Sequence, residues 1–237
     1  MSDQIRISAK NLGELALPKS CPRCFWIKLR VQNRLPYQIF PGIFSSIDAY
    51  SKRLVHAWFD RERAAPPWLS ALGEVTGYRQ PPHFSKFNIV DRETNILLTG
   101  NPDGVFLRAD GSNVIVDYKT AKYTETQDEL YPMYETQLNA YALIGNQRGL
   151  APVTGLALLY TEPLTDDSAA AKEDNQLADG FSLKFVARVF DVPIKLNMIS
   201  PLLARTREIS EKSSPPLGRS DCRDCALLAD LLGVASM

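Results

Sequence analysis

All four cysteines of this 237-residue chain fall in two Cys-x-x-Cys pairs, Cys21-Pro22-Arg23-Cys24 and Cys222-Arg223-Asp224-Cys225, at opposite ends of the sequence. A Cys-x-x-Cys turn points two thiolates at one centre, and two such turns supply the four sulfurs of a tetrahedral site. If the pairs share that site, the fold must bring its two ends together and close nearly the whole chain into one loop. The alternatives are two separate redox pairs or unrelated buried thiols. With no cysteine outside the pattern, a shared metal site is the preferred reading. Sulfur-only ligation suits zinc or an iron–sulfur cluster, and spacing does not choose between them.

The rest of the composition is that of a globular chain. Apolar residues make up 45% and charged residues 23%, which excludes an intrinsically disordered protein, and no repeat period or heptad run suggests a solenoid or coiled coil. The longest apolar stretches, such as Gly155 to Tyr160, fall far short of the ~20 residues of a membrane span. Met1 to Ser20 interleaves Asp3, Arg6, Lys10 and Glu14 with its apolar residues, so no secretory h-region is expected. The expectation is one domain over residues 1–237, cytoplasmic, with reduced thiols.

Basic and acidic side chains balance at 27 each, but their distribution is uneven. No acidic residue occurs between Glu14 and Asp48, where Lys19, Arg23, Lys28, Arg30 and Arg34 interleave with Phe25, Trp26, Tyr37 and Phe40. Such a stretch can line a phosphate backbone, or it can be a helix face whose counter-charges come from elsewhere in the fold.

Proline pairs at Pro66-Pro67, Pro81-Pro82 and Pro215-Pro216 punctuate the chain. The spacing of Ile47, Tyr50, Leu54, Val55 and Trp58 predicts an amphipathic helix over Ser45 to Arg63. Short apolar runs at Ile96 to Thr99, Val105 to Leu107 and Val114 to Tyr118, broken by Asn101-Pro102 and Asp110-Gly111, predict a meander of strands from Phe87 to Tyr118. A helix is expected over Tyr131 to Gln147 and a buried strand over Val153 to Tyr160. Phe181 to Val189 alternates, with Phe181, Leu183, Phe185, Ala187 and Val189 expected inward and Ser182, Lys184, Val186 and Arg188 outward. Thr161 to Gly180 is expected to be a long exposed loop, disordered at its middle. Ile194 to Lys212 is expected to be helical, with Leu196, Ile199, Leu203 and Ile209 inward. The order of elements predicts a mixed α/β fold.

The sharpest chemical signal lies between two of these strands. Gly100-Asn101-Pro102-Asp103-Gly104 precedes Val114-Ile115-Val116-Asp117-Tyr118-Lys119-Thr120. Residues two apart in a strand share a face, so Asp117 and Lys119 emerge side by side from an otherwise apolar strand, where ionised groups need a partner or a metal. If Asp103 opens onto the same edge, two carboxylates and an ammonium converge. Two carboxylates completed by water and phosphate oxygens suit magnesium, and the lysine is suited to act on a metal-bound water. Gln137 and Tyr141, four apart on the next helix, share a face beside that edge. A structural ion pair is the plain alternative for Asp117 and Lys119.

Together, Pro102-Asp103, Asp117-Tyr118-Lys119 and Gln137-Leu138-Asn139-Ala140-Tyr141 resemble the PD-(D/E)xK nuclease superfamily, specifically its RecB-like exonuclease branch. The resemblance implies a restriction-endonuclease-like core, a central mixed β-sheet flanked by helices, and magnesium- or manganese-dependent cleavage of DNA. By that resemblance Asp103 and Asp117 would be the metal ligands, Lys119 would act on the water nucleophile, and Gln137 and Tyr141 would support the site and contact DNA. Many RecB-like members place a metal-ligating histidine on the first helix. His56 lies on such a helix but lacks the usual preceding glycine, and His83, beside Pro82, is a weaker candidate. The chain also resembles CRISPR-associated and AddB-type nuclease domains, whose iron–sulfur cluster takes cysteines from both ends of the domain. Those families usually split their cysteines one and three, whereas this chain splits them two and two. A four-iron cluster is the expectation, with zinc as the alternative.

Three functions compete on this basis: an active metal-dependent DNA nuclease, a degenerate module that binds single-stranded or branched DNA, and a subunit of a larger repair or defence complex. The complete set of catalytic side-chain types favours the first. No Gly-x-x-x-x-Gly-Lys-Ser/Thr phosphate loop occurs, so processive unwinding of DNA would need a helicase partner.

Overall fold

A computed structural model describes residues 3–34, 41–123 and 129–237. Its elements in chain order are β1 (Ile5–Ser8), α1 (Ala9–Gly13), α2 (Pro22–Arg30), α3 (Gly42–Glu62), β2 (Val75–Arg79), β3 (Asn88–Asp91), β4 (Ile96–Thr99), β5 (Gly104–Arg108), β6 (Asn113–Lys119), α4 (Tyr131–Gln147), β7 (Val153–Pro163), α5 (Asp167–Ala170), β8 (Gln176–Leu177), β9 (Gly180–Phe181), β10 (Phe185–Asp191), α6 (Ile199–Ser210) and α7 (Arg223–Ala235).

Five strands form a mixed sheet in the order β10-β7-β6-β5-β2. β6 and β7 are parallel and the other neighbours antiparallel. Parallel neighbours need a long crossover, which α4 supplies. Because both central strands are covered on both faces, they read as continuous apolar runs. Val114, Val116 and Tyr118 pack with Val55 and Phe59 of α3 and with Phe106 and Leu159. Ile115 packs on the opposite face with Leu138 and Ile144 of α4 and with Leu156 and Leu158. The period of two therefore carries Asp117 and Lys119 to the α4 side. This is the expected architecture, a mixed sheet flanked by helices.

A second sheet, β1-β4-β3, pairs β1 parallel to β4 and β3 antiparallel to it. Its Ile7, Ile89, Ile96 and Leu98 join the α4-side core. The two chain ends meet at α2 and α6. Trp26 Nε1 donates to Lys212 O (3.0 Å), and Arg30 Nη2 donates to Ser210 O (3.1 Å) and Lys212 O (2.9 Å). The Ser210 carbonyl is the last of α6, where no intrahelical donor remains for it, and Lys212 stands two residues beyond the helix.

Several expectations need correcting. α3 starts at Gly42 and buries Val55 and Phe59, while Tyr50 and Leu54 are exposed. The segment from Thr161 to Gly180 is not one loop: β7 continues to Pro163, and Asp166 caps α5 by accepting from the Ala169 amide (2.9 Å). Phe181 does not point inward. It is 82% exposed, and it belongs to a separate small hairpin of β8 and β9. Leu183 is also exposed, and β10 begins at Phe185. Of the basic stretch, Lys28 pairs with Glu14 (2.7 Å), Lys19 with Glu129 (3.2 Å), and Arg30 with the α6 carbonyls. The fold thus supplies counter-charges for Lys28 and Lys19 and neutral carbonyl acceptors for Arg30. Tyr37 and Phe40 lie outside the described residues.

Candidate active site and cysteine centre

The carboxylate site is built where β5 begins and β6 ends. Asp103 immediately precedes β5, whose Gly104 pairs with Val116 across the ladder. Asp103 Oδ2 accepts from the Tyr118 amide (3.0 Å), which ties the turn before β5 to the end of β6. Asp117 and Lys119 share one face of β6, and the Lys119 ammonium sits in direct contact with Asp117 Oδ2. On α4, Gln137 Nε2 donates to Asp117 Oδ1 (2.9 Å) and to Tyr141 Oη (2.8 Å). Five sequence-selected residues, Asp103, Asp117, Lys119, Gln137 and Tyr141, are thus joined through direct contacts and neighbouring backbone.

Two further residues complete the group and were not singled out in the sequence. Lys52 of α3 holds Asp103 Oδ1 and Asp48 Oδ2, both at 2.7 Å. It was legible only as one charge on an amphipathic helix, because its partner stands 51 residues away. Tyr134 lies beneath the Lys119 ammonium, 4.0 Å from Nζ to the ring centroid. Its spacing to Gln137 and Tyr141, three and then four along α4, was the available signal.

From α3, His56 makes a ring contact. Its imidazole stacks on Tyr78 of β2, with centroids 3.9 Å apart, and Lys52, one turn earlier, faces Asp103. Burial lowers the His56 pKa, outweighing the pull of the nearby Asp60 carboxylate. His83 is exposed, with Nδ1 2.8 Å from Ser85 Oγ.

The electrostatics follow from burial. The Asp117 side chain is 4% exposed. Burial pushes its carboxyl up to about 6; Lys119 pulls it down and the nearby Asp103 charge pushes it up again. Burial works against the charge of Lys52, but the Asp103 and Asp48 carboxylates outweigh it and hold the ammonium above its ordinary value. Burial raises Tyr141, and the Asp117 charge adds to it, so the phenol stays protonated. Gln137 Oε1 is buried without a hydrogen-bond donor among the described residues. The carboxylates of Asp103, before β5, and Asp117, at the end of β6, are hard oxygen donors of the kind a divalent cation takes, and it would displace the Lys52 and Lys119 ammoniums that now hold them.

The second centre joins the chain ends. Cys21 and Cys222 occupy the N-cap positions of α2 and α7, and neither side chain caps its helix. Cys21 Sγ lies 3.6 Å from Cys225 Sγ, and Cys24 Sγ lies 3.5 Å from Cys222 Sγ and 3.4 Å from Cys225 Sγ. All four sulfurs fall within 4.8 Å of one another. The predicted single site of Cys21, Cys24, Cys222 and Cys225 is therefore assembled. Burial pushes the Cys21 thiol up, but hydrogen bonds from the Cys24 and Arg219 amides and from neighbouring thiols outweigh it and bring it to about 6. Burial and the neighbouring thiols raise Cys24. A metal ion would take the place of the protons that burial and crowding favour on Cys24 and Cys225.

The family model described as the PD-(D/E)XK nuclease superfamily matches residues 26–229. This chain belongs to that superfamily. Its match includes both halves of the carboxylate site and the second cysteine pair, and begins just after the first pair. The PD-(D/E)XK assignment accounts for the mixed sheet with Asp117 and Lys119 at the end of a central strand, and its members are nucleases that use divalent metals. No curated protein matches the chain. Among solved structures it is similar to the crystal structure of SSO0001, at 13% identity and a TM-score of 0.38 over 91% of this chain and 80% of that one. So distant a likeness bears no weight here. Among the described residues no helix is long and apolar enough to cross a membrane.

Proposed function

We propose that this superfamily member is a divalent-metal-dependent deoxyribonuclease of the RecB-like type, acting as an exonuclease on DNA ends, with residues 1–237 forming one nuclease-like domain. The observation that carries the reading is the connected group of Asp103, Asp117, Lys119 and Gln137 at the end of β6. Magnesium or manganese, held by Asp103 and Asp117, would supply Lewis-acid activation of water and neutralise charge on the scissile phosphate. Gln137 Nε2 fixes Oδ1 of Asp117, and the cation would take Oδ2 over from the Lys119 ammonium that now holds it. Lys119, steadied over the Tyr134 ring, orients the attacking water and stabilises the charge that develops on the phosphate. Lys52 braces Asp103 and offers a second positive charge toward the phosphate. Tyr141 keeps Gln137 in place.

The test is cleavage of end-labelled single- and double-stranded DNA in magnesium, manganese or chelator, beside Lys119→Ala. Cleavage that needs the divalent ion and falls at least about 100-fold in Lys119→Ala is expected, since this side chain is assigned to both the nucleophile and the developing charge. The product ladder reads the polarity. Cleavage by Lys119→Ala at the wild-type rate would overturn the proposal.

A further inference from the structure

We infer that the four-cysteine centre holds one tetrahedrally coordinated zinc ion, and not the four-iron cluster that the resemblance suggests. A tetrahedron with zinc–sulfur bonds of about 2.3 Å has sulfur–sulfur edges of about 3.8 Å. Three edges of the present set measure 3.4, 3.5 and 3.6 Å, and no pair of sulfurs is farther apart than 4.8 Å. Adjustments of about 1 Å or less along these edges admit a single ion at the centre. A four-iron cluster instead places a cube of iron and sulfide between its thiolates, each of which binds a different iron. Every sulfur would then have to retreat from the other three by much more than bond-length adjustment.

The surroundings leave little room for that retreat. A Cβ placed on Gly218 would lie 2.9 Å from Cys225 Sγ and 3.4 Å from Arg23 Cδ, so the backbone at residue 218 lies directly against one ligand. The Arg219 amide donates to Cys21 Sγ (3.4 Å) and so lies against a second. On the first pair's side, α2 is anchored beyond the centre through Trp26 and Arg30 to the end of α6. Two Cys-x-x-Cys turns facing each other across this gap are the ligand pattern of a closed structural zinc site. The inference is independent of whether the carboxylate site cleaves DNA.

The test is metal and acid-labile sulfide analysis of the full chain, purified anaerobically after expression with both iron and zinc supplied. The expected result is one zinc per chain, no sulfide and a colourless protein. Zinc content should fall at least tenfold in Cys222→Ser. To separate loss of a ligand from loss of the fold, the wild-type protein is also stripped and titrated with Co2+, which should bind at one equivalent and give the intense visible bands of tetrahedral cobalt–thiolate. A brown protein carrying iron and sulfide would overturn the inference. So would a folded protein free of metal, or cobalt binding without the tetrahedral spectrum.

Discussion

Asp117 is the residue on which the carboxylate site is most finely balanced. Its carboxyl, ordinarily near 3.8, is pushed up to about 6 by burial. Between these values the folded, metal-free protein holds a proton that the unfolded chain has released. The associated stability is complete below about pH 4 and is lost as the pH rises through 6. Keeping the charged form at neutral pH costs roughly 3 kcal/mol by the size of the shift. Asp117→Asn keeps an acceptor for Gln137 and removes the charge, although it leaves Lys119 without its counter-ion. We therefore expect it to raise metal-free stability at pH 7.5 by about 1–3 kcal/mol in denaturant melts and to show no such gain at pH 4, while abolishing cleavage. A variant less stable than wild type at both pH values would contradict this account. Wild-type cleavage should fall below about pH 6, because protons compete with the cation for Asp117. At this scale the sequence was informative. Asp117 with Lys119 and Gln137 with Tyr141 were legible because strand period two and helix period four put each pair on one face, whereas the place of Asp103 beside them came from the resemblance of the combined motifs. Lys52 and Tyr134 were not, because their relation to the site depends on how α3 and α4 are docked, which no local period records.

The elements that hold these residues were legible in proportion to how local their causes are. The limits of α4 and the turn at Asp110-Gly111 follow from nearby residues: Gly111 adopts φ +82° and the Ser112 amide donates to Asp110 Oδ1 (2.8 Å). β1 was missed because its four residues gain a partner only in β4, about ninety positions later. The over-long reading of β10 has a similar cause, since alternation continues through 181–184 although Phe181 pairs with Gln176 of β8. Where α4 meets the strand that leads into Asp103, packing is close. A Cβ on Gly100 would lie 2.8 Å from Tyr141 Cδ1 and 2.9 Å from Phe87 Cδ1. Phe87 is fully buried and has little room to move, so the Tyr141 ring must shift and carry Gln137 with it. Gly100→Ala is expected to cost about 1–3 kcal/mol in melts and to lower cleavage at least tenfold. Gly149→Ala serves as a control: it meets no neighbour, so its effect is limited to the strain of φ +88° and leaves turnover intact.

For the whole molecule, the cysteine centre ties residues up to 204 positions apart. Closing a loop of that length removes much of the unfolded chain's freedom, up to about 5 kcal/mol for a covalent link in the chain-entropy view. A thiolate-bound ion acts by the same logic as far as its affinity lasts, since the unfolded chain holds no preformed site. The latch is not the only tie between the ends, because Trp26 and Arg30 bond the end of α6 without it. Removing the ion should therefore loosen α7 and the segment before it more than the sheet. Its loss is expected to lower stability by roughly 3 kcal/mol, a fall of about 10 °C in Tm at 2–4 °C per kcal/mol. Chelation or Cys21→Ser with Cys24→Ser should produce that fall, together with protease cleavage in residues 213–221, where the chain is largely exposed between α6 and α7. Cleavage should spare β6 and α4, which are buried on both sides. If chelation left both the melting temperature and the digestion pattern unchanged, the ends would be held by the α2–α6 contacts alone.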